Sequence, residues 1–298
     1  MNYGHVSQDE IDQITFDLPH EHALTDSTLN NQLATTKFYV GCGKWGIPAW
    51  VGPLYPEGTK EKDFLNFYLQ KFNSIELNGT FYRLSRTSIE SWATQAKGSE
   101  FLYCPKWSQR ISHFKRLSDV EENTTYFIDS VALLGQNLGS TFLTLPPNFG
   151  PKNIDRVYEF LQLLPQNYPF HLELRHKDWF EEPIFSEVMQ ALKEKGLGAV
   201  ITDVALRRDA LHMCVTCPTL LVRFNGYGLH PTDFQRLDQW VDQLMSWSAR
   251  GLEKVFFFMH QENEAHTIVL CDYFIKQLNA RMETNLTPLN LPADYYQA

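Results

Sequence analysis

The 298-residue chain lacks any apolar run near the ~20 residues that a membrane-spanning helix needs. No apolar stretch follows Met1-Asn2-Tyr3, so no secretory signal and no membrane partner are expected. Cysteine is sparse: five residues, an odd number, argue for a reducing, cytoplasmic protein without a disulfide framework. Cys214 and Cys217 form a single C-x-x-C with no second ligand pair beside it, so no structural metal is expected there. Basic residues are outnumbered 26 to 35, and the net charge of −9 disfavours nucleic acid as a general partner. The G-x-S-x-G, H-E-x-x-H and G-K-[ST] signatures are missing, which removes the usual support for common hydrolase, zinc-protease and P-loop chemistries.

What is present is a rhythm of short apolar runs and helical patterns. Strand candidates at 38–42, 74–78, 101–106, 141–145, 170–175, 197–203, 220–225 and 255–260 are each followed by a helical or irregular segment. Alternation at this spacing predicts parallel strands joined by crossovers, and eight units predict an α/β fold of the (β/α)8 TIM-barrel class, an open doubly wound sheet being the alternative. Gly139, Gly196 and Gly251 stand where helices should stop. The barrel domain is expected over 37–282, preceded by a polar, acidic leader (1–36) packed on its outside and followed by a loose C-terminal tail (283–298) containing Pro288 and Pro292.

Gly41, Gly43 and Gly46 make a G-x-G-x-x-G after the first strand, but Pro48, Pro53 and Pro56 follow where a dinucleotide site needs a helix to open. No nucleotide and no other cofactor is expected. The glycines fit better as turns beneath Trp45 and Trp50.

The informative pattern is polar alternation at strand ends. In Phe170 to Arg175, His171, Glu173 and Arg175 alternate with Leu172 and Leu174, which puts ionisable groups on one face of a strand that helices should cover on the other. Glu76 and Asn78, Arg223 and Asn225, and His260 repeat the pattern, while Lys106 and Asp203 close their strands. In a parallel barrel these ends converge at one mouth. Glu76, Glu173, His113 and His260 are the acid–base candidates. Asn78, Lys106, Arg175, His176, Asp203, Arg223 and Asn225 are the binding candidates, with Trp45, Tyr82 and Trp179 as aromatic walls. The positive charges suit a small anionic or polyhydroxylated ligand. A metal held by Glu76, Glu173, Asp203 and His260 ranks lower, because three cations share the rim. A basic lip of Lys106, Arg110, Lys115 and Arg116 for single-stranded nucleic acid, and a purely structural charge network, are the competing accounts.

The segment Ile75-Glu76-Leu77-Asn78-Gly79-Thr80-Phe81-Tyr82-Arg83, with Lys106, Ile111-Ser112-His113, Leu145-Pro146-Pro147, Glu173-Leu174-Arg175-His176, Val222-Arg223-Phe224 and Phe256-Phe257-Phe258, resembles the domain-of-unknown-function family 72, or YecE-like family, across about 38–282. The resemblance implies a TIM barrel and no established reaction. Two rim positions depart from it. Asn225-Gly226 stands where the family often has His-Gly, and Met259-His260 where many members end the eighth strand in paired asparagines.

Overall fold

The computed structural model describes residues 8–11, 13–29 and 35–297. Its strands are β1 (Lys37–Cys42), β2 (Ser74–Leu77), β3 (Leu102–Pro105), β4 (Thr141–Thr144), β5 (Phe170–Glu173), β6 (Gly198–Asp203), β7 (Thr219–Asn225) and β8 (Lys254–His260). The intervening helices bury stripes at helical spacing. Between β5 and β6, for example, Phe185, Val188, Met189 and Leu192 face inward from Ile184–Glu194.

Every strand pairing is parallel, but one continuous ladder does not join them. Six strands run in the order β1-β8-β7-β6-β5-β4, and β2 pairs with β3 separately. The protein is therefore an α/β fold built on a curled, open six-stranded parallel sheet, where the sequence predicted a fully closed ring of eight. Side chains cause the break between β1 and β2. The Asn73 amide takes the Phe38 carbonyl and the Val40 N–H, both at 2.8 Å, and the Tyr68 hydroxyl accepts from the Cys42 N–H at 2.9 Å. Gly41 permits this approach, since a Cβ there would lie 2.0 Å from the Ser74 carbonyl oxygen. On the other side, among the described residues, isolated bridges replace a ladder: Tyr103 of β3 to Leu138 before β4, and Lys106 after β3 to Phe142 of β4.

Alternation sorts the strand residues into two layers. Val222, Phe224, Val255 and Phe257 face the helices, whereas Cys104, Phe142, Val200, Leu221, Phe256 and Phe258 pack together on the concave side. That apolar plug supports the polar residues one step further along each strand.

Gly196 and Gly251 do end helices at positive φ. Gly139 does not. It is needed because a Cβ would sit 2.8 Å from the Cys104 sulfur.

In the leader, Ile11 and Phe16 pack on Ala205, and Glu21 accepts from Trp247 and Arg250. The C-terminal segment is not loose: Leu289 and Leu291 are buried, and the Leu289 N–H donates to Asp272 at 2.7 Å. Among the described residues no helix is long and apolar enough to cross a membrane. The five cysteines are buried thiols.

Candidate functional site: a charged layer at the C-terminal strand ends

The concave face of the sheet ends in a compact ionic layer centred on Arg223. Its guanidinium donates to Glu76 through Nε (2.8 Å) and Nη2 (2.9 Å). Through Nη1 it reaches both carboxylate oxygens of Glu173 at 3.0 Å. Glu173 also accepts from Arg175 Nε at 2.9 Å, Thr144 Oγ1 at 2.6 Å and Thr202 Oγ1 at 3.3 Å. Glu76 also accepts from Asn78 Nδ2 and faces His260 Nε2, each at 2.9 Å. Strand register explains the convergence. Thr144 pairs with Glu173, Thr202 with Arg223 and Asn225 with His260, so their side chains lie at matched heights.

Burial alone would raise both carboxyl pKa values, and it is the largest influence on each. Arg223 and His260 outweigh it at Glu76, and Arg175 and Arg223 outweigh it at Glu173, so both groups are held below the ordinary carboxylate range. Burial lowers the pKa of Arg223, but its two carboxylate partners more than reverse this.

Lys106 is different. It follows β3 with its ammonium 4.8 Å from the Phe81 ring centre and 5.6 Å from that of Phe142. Among the described residues its nitrogen has no carboxylate within ion-pair reach, because Arg223 and Arg175 already occupy Glu76 and Glu173. Burial, then the Arg223 charge, push its pKa down to about 8. His113 shares the Phe81 ring, edge to face at 5.0 Å, and Ser112 Oγ lies 2.8 Å from its Nδ1. Burial and the Lys106 charge lower its pKa to about 4, so it is neutral at physiological pH.

Glu76, Asn78, Lys106, His113, Glu173, Arg175, Arg223 and His260 are thus brought together. Asp203 is not. It follows the inward-facing Thr202, so alternation turns its carboxylate toward the helices, where it pairs with Arg236 (2.7 Å) and Arg208 (2.5 Å) and accepts from Trp240 (2.8 Å). Trp179 is fully buried in the outer core and donates to the Phe149 carbonyl at 2.6 Å, so it forms no wall of the layer. His176 caps the short helix Lys177–Phe180 and packs over Gly150. Tyr82 is 72% exposed, and Trp45 is half-buried against Trp92. The Asn225 carbonyl accepts from Arg236.

The sequence reading missed Thr144, Thr202, Phe81 and Phe142. Thr144 carried a readable signal, being a polar residue next to the end of a predicted strand. Phe81 lies in a helical turn after β2, where no strand alternation applies. With Asp203 facing outward, the four-residue metal set of the sequence reading does not assemble. Among the described residues no cluster of three or more His, Cys, Asp or Glu side chains is placed to hold a metal.

Beside His260 lies a cavity of about 60 Å³, lined by Cys42, Gly43, Asn78, His260, Gln261 and Glu264. That volume suits a few waters rather than a large ligand.

Fold and site together define a parallel α/β protein with an arginine-bridged carboxylate pair at its C-terminal strand ends. The family described as "Protein of unknown function DUF72" matches residues 39–294, and the chain belongs to it. It is 26% identical over 228 residues to the UPF0759 protein YecE of Escherichia coli K12, covering 70% of this chain and 81% of that one. The UPF0759 protein YunF of Bacillus subtilis is 24% identical over 166 residues, 53% and 57% of the two chains. Among solved structures, a DUF72 family protein from Enterococcus faecalis superposes with a TM-score of 0.65 at 17% identity, covering 82% and 96%. One from Thermotoga maritima gives 0.62 at 24%, covering 81% and 99%. The structures share the fold.

Proposed function

We propose that the ionic layer is the active site of an enzyme acting on a small anionic or polyhydroxylated ligand, at the mouth of a (β/α)8 barrel closed by the β2-β3 ribbon, in the cytoplasm. One observation carries this reading: beside the Arg223 centre of the layer, Lys106 is a cation that, among the described residues, has no carboxylate in ion-pair contact, while Glu76 and Glu173 are already paired with arginines. An evolved structural network would pair its charges, since an unpaired buried charge costs several kcal/mol. The same geometry divides the roles. Carboxylates held this far ionised are weak bases at neutral pH, so acid–base work passes from Glu76 and Glu173 to His260, which Glu76 orients. Glu173 positions Arg175 and Arg223.

A thermal-shift panel of sugar phosphates, carboxylates and divalent metals tests this, because a ligand at a hundred times its Kd adds about 2.7 kcal/mol. Stabilisation by one class, lost in Arg175→Ala, supports the reading. Silence across the panel, with strong destabilisation in Arg175→Ala, leaves a structural network.

A second reading rests on a different surface. Tyr82 (72% exposed), Phe114 (71%) and Tyr126 (50%) line a cavity of about 420 Å³ with Arg110, an arrangement suited to stacking bases of a single strand. Oligonucleotide binding that weakens steeply with salt and is lost in Tyr82→Ala would favour it.

A further inference from the structure

Lys106 is held in place before its side chain begins. Its N–H donates to the Leu77 carbonyl at 3.2 Å, its carbonyl accepts from Thr80 Oγ1 at 2.7 Å, and its backbone bridges Phe142. The stem therefore leaves a fixed point between β2 and β4, and the amine lies over two aromatic rings. The residue as a whole is only partly buried, although burial is the largest influence on its amine.

The charges around it come from every neighbouring strand end: Glu76 from β2, Glu173 and Arg175 from β5, Arg223 from β7 and His260 from β8, with His113 from the turn after β3. Glu76 and Glu173 carry two negative charges, and Arg175 and Arg223 carry two positive ones. The layer is electrically balanced without Lys106, so protonating the amine adds an uncompensated charge to a dry site. A desolvated lysine beside a second cation is the arrangement that frees an amine for attack.

We propose that Lys106 is a nucleophilic catalytic residue that condenses with the carbonyl carbon of a small aldehyde or keto acid to form a Schiff base. This rests on reading the layer as an active site, and it narrows the ligand class to carbonyl compounds. The neutral amine donates its electron pair to the carbonyl carbon, forming the C–N bond while the C=O π pair moves to oxygen. Oxygen takes up the proton that nitrogen gives up. A second proton from solvent then lets the hydroxyl leave as water, and the nitrogen lone pair closes the C=N bond of the iminium. The new positive charge stays on nitrogen, over the Phe81 and Phe142 rings. His113, neutral and on the same Phe81 ring, is placed to pass protons between that oxygen and solvent. At a pKa of about 8, about a tenth of the amine is neutral at pH 7, against less than about one part in a thousand for an ordinary lysine.

The test is made on the full chain with two probes, pyruvate and glycolaldehyde, each with sodium cyanoborohydride, followed by peptide mass spectrometry. The expected result is a reduced adduct concentrated at Lys106, with surface lysines such as Lys97 and Lys152 labelled at least tenfold less, and no such adduct in Lys106→Arg. Trace acetylation with acetic anhydride across pH should show Lys106 reacting with a midpoint near 8, well below the surface lysines. Absence of an adduct at Lys106 with both probes, or labelling no greater than at Lys97, overturns the proposal. A ligand-induced thermal shift that persists in that case, and vanishes in Arg175→Ala, shows that the active-site reading stands without the Schiff base.

Discussion

Arg223 of β7 bridges Glu76 of β2 and Glu173 of β5 with four hydrogen bonds of 2.8 to 3.0 Å, so one guanidinium ties the separate two-stranded ribbon to the main sheet. Its removal would leave two buried carboxylates facing each other. Arg223→Met is expected to lower the unfolding free energy by about 3 to 5 kcal/mol. Urea denaturation measures this, and a loss under about 1 kcal/mol would show that the bridge is dispensable.

The same carboxylates set a pH dependence. Their folded pKa values lie below the unfolded value near ~4.3. Their contribution to stability is therefore complete above that value and lost as pH falls through it toward the folded values. Urea midpoints should begin to decline below about pH 5 and go on falling past pH 3, with a smaller total decline in Glu173→Gln.

His113 adds a term at higher pH. Its folded pKa, lowered to about 4, lies below the unfolded value of ~6.5. The unfolded chain binds the extra proton first, so stability rises with pH through that window. Titration of the imidazole by NMR should give a midpoint near 4, moving upward in Lys106→Met as a neighbouring positive charge is removed.

Asp203 is structural on this geometry. Asp203→Asn weakens the hold on buried Arg236 and should cost about 2 to 4 kcal/mol while leaving any ligand-induced thermal shift intact. Loss of the shift without loss of stability would return Asp203 to the site.

Gly198 makes room for an imidazole. A Cβ there would lie 2.1 Å from the ring of His171, whose nitrogens are fixed by Ser140 at 2.7 Å and the Thr219 carbonyl at 2.9 Å. Gly198→Ala is expected to destabilise by about 1 to 3 kcal/mol through overpacking, read from the thermal midpoint.

The order of strands and helices was legible in the chain because periods of two and 3.6 report burial directly. The same alternation marked Glu76, Glu173, Arg223 and His260 as one polar set. Alternation also has a parity, and Asp203 was assigned to the mouth by its place at the strand end although it stands one residue past the inward-facing Thr202. Trp179 was misplaced for a related reason: an aromatic just after a strand reads the same whether it turns to the mouth or to the core.

The sequence by itself determined a parallel α/β chain with ionisable groups at its strand ends, since local periodicity and residue type suffice for that. Tertiary structure alone decided which charges cancel. Three strands, β2, β5 and β7, had to converge before Arg223 could saturate Glu76 and Glu173, and that saturation leaves Lys106 without a carboxylate partner among the described residues. Arg223 and Glu76 lie 147 positions apart in the chain, and no local pattern encodes their distance in space.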